Sequence, residues 1–69
     1  MSNLSTLFYG HMKQSGVSGT QIAQITGASR NTVRKWLAAP ESMPLTTMLQ
    51  IAEIIGIRKR ELVAAIVQL

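Results

Sequence analysis

The sequence predicts an all-α protein of five short helices. Three observations predict it. Apolar residues recur at three- and four-residue spacing in five separate stretches. Gly16, Gly27, Pro40, Pro44 and Gly56 fall between those stretches as breakers. No sustained alternation of apolar and polar residues competes with the helical pattern. Sixty-nine residues suffice for one domain and leave too little core for a second, so a single domain over 1–69 is expected.

The first helix is expected from about Asn3 to Ser15, with Leu4, Leu7, Phe8, His11 and Met12 along one stripe and Gly16 ending it. Ser18 suits the N-cap of the second helix, and Gln21 three residues later completes a capping box. That helix carries Ile22, Ala23 and Ile25 and closes at Gly27. Ser29 caps a third helix over roughly 30–38. Ala39 to Met43, holding Pro40, reads as a loop. Pro44 suits the first turn of the fourth helix, where its missing N–H costs nothing. Leu45, Met48, Leu49, Ala52 and Ile55 are expected as the buried stripe of that helix, and Gly56 stops it. A fifth helix is expected from about Lys59. Val63, Ile66 and Val67 are β-branched, which leaves helix and strand both open for the last eight residues.

Between Gly19 and Leu37 two of these helices come together. Ala23, Gly27 and Val33, with Ile22, Ala28 and Trp36 as further apolar positions, suit two helices meeting steeply through a tight turn. This is the helix-turn-helix unit, whose second helix is laid in a DNA groove. Ala23 is small where the second helix crosses it, and Gly27 takes the left-handed backbone conformation without steric cost. Val33 and Trp36 pack the second helix back onto the first. The unit implies double-stranded DNA as the partner.

The charge balance points the same way. Seven Lys and Arg stand against three acids, giving +4 and a pI near 10.4. Such a balance favours a polyanion, though by itself it would equally suit a small soluble domain that binds none. Placement adds to it, because Arg30, Arg34 and Lys35 form one cluster and Arg58, Lys59 and Arg60 another. With no cysteine there is no disulfide framework and no thiolate metal site. The residues after Met1 lack the basic start and long apolar stretch of a secretion signal. The most apolar run, Leu62 to Leu69, is far shorter than the roughly 20 residues that span a bilayer. A cytoplasmic, nucleoid-associated protein without a membrane partner is expected.

Gly16-Val17-Ser18, Ile22-Ala23, the run from Gly27 to Val33 and the run from Leu49 to Ile57 together resemble the Cro and phage-repressor (Cro/CI-type) family of helix-turn-helix regulators. The resemblance extends from Leu4 to about Leu62. It implies a five-helix, lambda-repressor-like DNA-binding domain, with helices two and three as the helix-turn-helix. It also implies a dimer that represses or activates transcription on palindromic operators. Four positions depart from the family pattern. Gly19 stands where members often carry a phosphate-touching Gln, and Arg58 where Ser or a similar residue commonly caps the fifth helix. Met12 and Leu37 replace an Arg–Glu pair, so an apolar contact takes the place of an ion pair.

With Val33 as the inward centre of the third helix, Trp36 and Leu37 join it on the buried side, while Asn31 and Lys35 point away and Arg34 lies beside them. Arg30 is on the flank, in the first turn, which approaches the bases most closely in this motif. Asn can pair bidentately with adenine and Arg with guanine. Arg30 and Asn31 are therefore assigned to base reading. Arg34 and Lys35 are assigned to a base or a phosphate, and Thr32 could offer its methyl to thymine or serve only as filler. A solvated face would ordinarily mix charge signs to gain i,i+4 pairs, whereas this one carries three cations and no anion.

Ser18 and Gly19 open the second helix and are assigned to a phosphate, with Thr20 and Gln21 as added donors. Ser42, Thr46 and Thr47 are weaker choices that capping explains equally well. Arg58-Lys59-Arg60 sits at a helix N-terminus, against the macrodipole. Either DNA phosphate compensates it, with Arg58 and Lys59 as contacts, or the cations are solvated and Glu61 relieves part of the cost. Leu62, Val63, Ile66, Val67 and Leu69 are assigned to a dimer interface, since a small monomer cannot hide every side of that run; a tail folded over the core is the alternative.

His11 is expected as a boundary histidine and Trp36 as core. Glu41, Glu53 and Glu61 are too scattered for a catalytic pair, and no nucleophile has an evident base, so no enzymatic activity, cofactor or metal site is expected. No space remains for a ligand-sensing domain, and no small-molecule ligand is expected. The reading that results is a Cro-like repressor that binds its operator as a dimer through the helix at about 30–38. An antitoxin or restriction-system controller on the same scaffold, or a small helical protein–protein adaptor, are the alternatives.

Overall fold

Each helix starts and stops where nearby residues can satisfy the backbone groups that a helix end leaves without partners. In the computed structural model, which describes residues 3–68, the helices are α1 (Asn3–Ser15), α2 (Gly19–Thr26), α3 (Arg30–Ala38), α4 (Leu45–Ile55) and α5 (Lys59–Val67). A single 3-10 turn, Pro40–Ser42, separates α3 from α4, and no strand occurs among the described residues. The expected limits of α1, α2 and α3 coincide with these. The tail is helical as far as Val67.

One punctuation recurs three times. Gly16, Gly27 and Gly56 have positive φ, and each is followed by an apolar residue and then a helix cap: Val17-Ser18, Ala28-Ser29 and Ile57-Arg58. The Gly56 turn shows why the pattern works. Its N–H reaches the Glu53 carbonyl, and the Ile57 N–H reaches the Ala52 carbonyl at 2.8 Å. This Schellman arrangement satisfies two orphan acceptors while turning Ile57 into the core, where it is buried. At Ser18 both halves of the capping box form: its Oγ accepts from the Gln21 N–H at 3.2 Å, and Gln21 Oε1 accepts from the Ser18 N–H at 2.8 Å.

The core runs through all five helices. Leu4 and Phe8 of α1, Ile22 of α2, Val33 of α3, Ile51 and Ile55 of α4 and Leu62 of α5 are fully or almost fully buried. α1 packs against α3, α4 and α5, and α2 packs against α3. Among the described residues one polar side chain enters this core. Ser5 is completely buried, and its Oγ donates to the Leu37 carbonyl at 2.9 Å. That carbonyl lies in the last turn of α3, where helix geometry supplies no intrahelical donor. Ser5 therefore ties α1 to the end of α3.

Several expectations need correction. Leu45 and Leu49 are 65% and 43% exposed, and α4 instead buries Met48, Ile51, Ala52 and Ile55. That helix is apolar nearly all round, so two stripes satisfy the helical period and only packing chooses between them. Ile25 is exposed, and Trp36 is half-buried at the edge of the core. The expected loop at Ala39 to Met43 is a 3-10 turn that buries Pro40 and Met43. Pro44 stands just before α4, in the cap position.

Candidate nucleic-acid interface

The turn that sets the angle between α2 and α3 is only Gly27-Ala28-Ser29. Gly27, at φ 77°, donates its N–H to the Ala23 carbonyl at 2.9 Å and ends α2. Thr26 completes the corner: its hydroxyl donates to the Ile22 carbonyl at 2.8 Å and accepts from the Ala28 N–H at 3.4 Å. Ser29 then opens α3 by accepting from the Thr32 N–H at 3.1 Å. The Gly27 and Ala28 N–H groups and the Ser29 hydroxyl each have a local partner, so α3 projects from a braced corner. Thr26 is a residue the sequence pattern did not single out; a Thr just before the helix-ending glycine is its only signal.

Packing then orients α3. Val33 and Leu37 are buried, while Arg30, Asn31, Arg34 and Lys35 are exposed together on the outer side. Among the described residues no carboxylate pairs with any of the four, and the side-chain contact between His11 and Glu61 lies elsewhere. Thr32 differs from its neighbours. It is half-buried, and its Oγ1 accepts from the Ser29 hydroxyl at 2.9 Å, which ties it to the cap of its own helix.

The start of α2 lies beside this face. Gly19, Thr20, Arg30, Asn31 and Arg34 border one cleft of about 500 Å³, floored by Val33 and Leu37. Met12 also lines it, so the two apolar replacements, Met12 and Leu37, share one concavity. Ser18 and Gln21 spend their capping groups on each other, whereas the N–H groups of Gly19 and Thr20 belong to the first turn, where no intrahelical acceptor exists. Lys35 is exposed next to Arg34 but does not border the cleft.

The second basic cluster is placed apart. Arg58, Lys59 and Arg60 are exposed at the start of α5, and Lys59 lines a different groove, of about 560 Å³, with Leu49 and Glu53 of α4. Glu61 Oε1 accepts from the Arg58 N–H at 3.4 Å, which is half a capping box, since an arginine side chain has no acceptor to return. Its other oxygen, Oε2, is 3.3 Å from His11 Nε2, so the histidine bridges α1 to α5 at the rim of the core. Ser42 caps its own turn by donating to the Ala39 carbonyl at 2.6 Å, and Thr46 borders the groove with Lys59.

Of the apolar tail, Val63 is exposed and Val67 is 78% exposed, while Ile66 is half-buried against the core. Leu62 is only 2% exposed and cannot serve as open interface; its side chain is already committed to the core of its own chain. Leu69 lies outside the described residues. No helix among those residues is long and apolar enough to cross a membrane.

The sequence pattern of the Cro/C1-type HTH DNA-binding domain matches residues 11–68, most of the chain. The chain belongs to this family. No curated protein and no solved structure matches it significantly. As a Cro/C1-type domain it is a DNA-binding transcriptional regulator, and domains of this family are typically non-enzymatic. The match covers both halves of the helix-turn-helix and both basic clusters.

Proposed function

We propose that this protein is a Cro-like repressor that acts on double-stranded DNA in the cytoplasm, as a single domain over 1–69, and binds a palindromic operator as a homodimer. The observation that carries the reading is the outer face of α3, where Arg30, Asn31, Arg34 and Lys35 are exposed and, among the described residues, paired with no carboxylate. Arg30 and Asn31 read base edges in the major groove. Arg34 and Lys35 contact a base or a phosphate, and Thr32 offers its methyl to a thymine. The first turn of α2, from Ser18 through Gly19 and Thr20 to Gln21, meets the backbone on one side. Arg58 and Lys59 meet backbone farther along.

Dimerisation supplies what one small module lacks, because a single domain buries little DNA. A protomer measuring 28 × 22 × 21 Å is the right size to set its α3 about 34 Å from a neighbour's, one turn of the duplex. Val63, Ile66 and Val67 of α5, with Leu69, form the apolar contact between protomers. Repression then follows from occupancy of a promoter, governed by protein concentration.

Selection of bound sites from a random DNA pool, followed by a salt titration, tests the reading. An inverted repeat with half-sites one helical turn apart is expected. With two to four cations per protomer on phosphates, log affinity should fall against log salt with a slope of about −4 to −7. Failure to retain any DNA at low salt would overturn the reading and favour a protein–protein adaptor; an asymmetric selected site would overturn the dimer.

A further inference from the structure

Tyr9 is the one large aromatic on the outer side of α1, 40% exposed and outside the core cluster. It borders the same cleft as Arg30, Asn31 and Arg34 of α3 and Thr20 of α2. The register that brings it there is set inside the core. Ser5 holds α1 to the Leu37 carbonyl, and Tyr9 lies one helical turn beyond Ser5, as Val33 and Arg34 lie one turn before Leu37. Phe8, its neighbour in sequence, is turned about 100° around the helix and is completely buried. The ring of Tyr9 therefore adds little to the core and stands at the edge of the α3 face, and its hydroxyl has no partner among the described residues.

We infer that Tyr9 is a DNA contact supplied by α1, its hydroxyl donating to a backbone phosphate beside the base pairs that Arg30 and Asn31 meet. The inference rests on the reading of α3 as the DNA-facing helix. A phosphate is the chemistry the surroundings fit. Two guanidinium groups border the cleft, no carboxylate does, and a phenol in such a place donates well to an anionic oxygen. The ring leaning on the cleft wall holds that hydroxyl at lower conformational cost than a long flexible side chain would. A hydroxyl on a phosphate positions the protein on the duplex and carries no base preference.

The test compares the full-length wild type with Tyr9→Phe on the pool-selected duplex and on a random duplex of equal length. Tyr9→Phe should weaken both by the same factor, about tenfold, with an unchanged urea midpoint. A selected duplex carrying one neutral methylphosphonate should lose wild-type affinity at one position per half-site, where Tyr9→Phe is indifferent. Affinity within about twofold of wild type on both duplexes overturns the inference while leaving the role of α3 intact. A loss confined to the selected duplex overturns the phosphate assignment in favour of a base contact. Failure of the wild type on both duplexes refutes the role of α3 and this inference together.

Discussion

Ser5→Ala removes a hydrogen bond that a buried side chain makes from α1 to α3. The hydroxyl is completely buried and donates to the Leu37 carbonyl at 2.9 Å, and Leu37 is itself buried. Alanine fills nearly the same space, so no sizeable cavity opens. What is lost is the donor, and the carbonyl left behind cannot reach water. An unsatisfied buried acceptor costs about 1–3 kcal/mol. For a chain of 69 residues the whole folding free energy is on the order of 3.5–10 kcal/mol, so the loss is a large share of it. Ser42 offers an internal control with the same chemistry. Its hydroxyl also donates to a carbonyl at a helix end, that of Ala39 at 2.6 Å, but Ser42 is exposed and that carbonyl keeps a second donor, the Ser42 N–H at 2.9 Å. Water replaces the bond in Ser42→Ala, which should stay within about 0.5 kcal/mol of wild type. Urea unfolding of the three proteins gives the comparison. Thermal midpoints should fall by roughly 4–8 °C per kcal/mol for a domain of this size. Equal stability of the two alanine variants would refute the claim that burial, rather than the bond itself, makes Ser5 matter.

Other outcomes follow from the same geometry. Gly27→Ala places a Cβ in open space but in left-handed backbone, so it should cost about 1–2 kcal/mol in unfolding experiments through strain alone. Leu62→Ala should destabilise the monomer fold by about 2–5 kcal/mol, whereas Val67→Asp should leave it stable and shift the species seen by light scattering from dimer to monomer. Asn31→Ala should relax preference at one position of each half-site at a cost of about 1–3 kcal/mol, while Lys59→Ala should weaken all sequences alike and reduce the salt slope by about 1, both read from binding isotherms.

The helix limits were legible because they are set locally. Ser18 with Gln21, Ser29 with Thr32, and the positive-φ glycines satisfy helix ends within a few residues of themselves, so a linear pattern carries the information. The outer face of α3 was legible for a related reason: Val33 and Leu37 anchor one side, and helical periodicity leaves Arg30, Asn31, Arg34 and Lys35 on the other. Leu45, Leu49 and Leu62 were misassigned where periodicity is degenerate. In α4 and α5 apolar residues occupy several faces, and a leucine carries no mark of which face will meet α1.

Sequence alone settled that α1 to α4 are helices, where the glycine turns fall, and which side of α3 carries its cations, because caps and the 3.6-residue period act over a few residues; it left the last eight residues open between helix and strand. Tertiary structure alone decided which stripe of α4 is buried, that Leu62 belongs to the core, that Ser5 ties α1 to the end of α3, and that Tyr9 borders the α3 cleft. These depend on how one helix is rotated against another far away in the chain. That rotation is chosen by close packing of the whole core, to which each short segment contributes only a part.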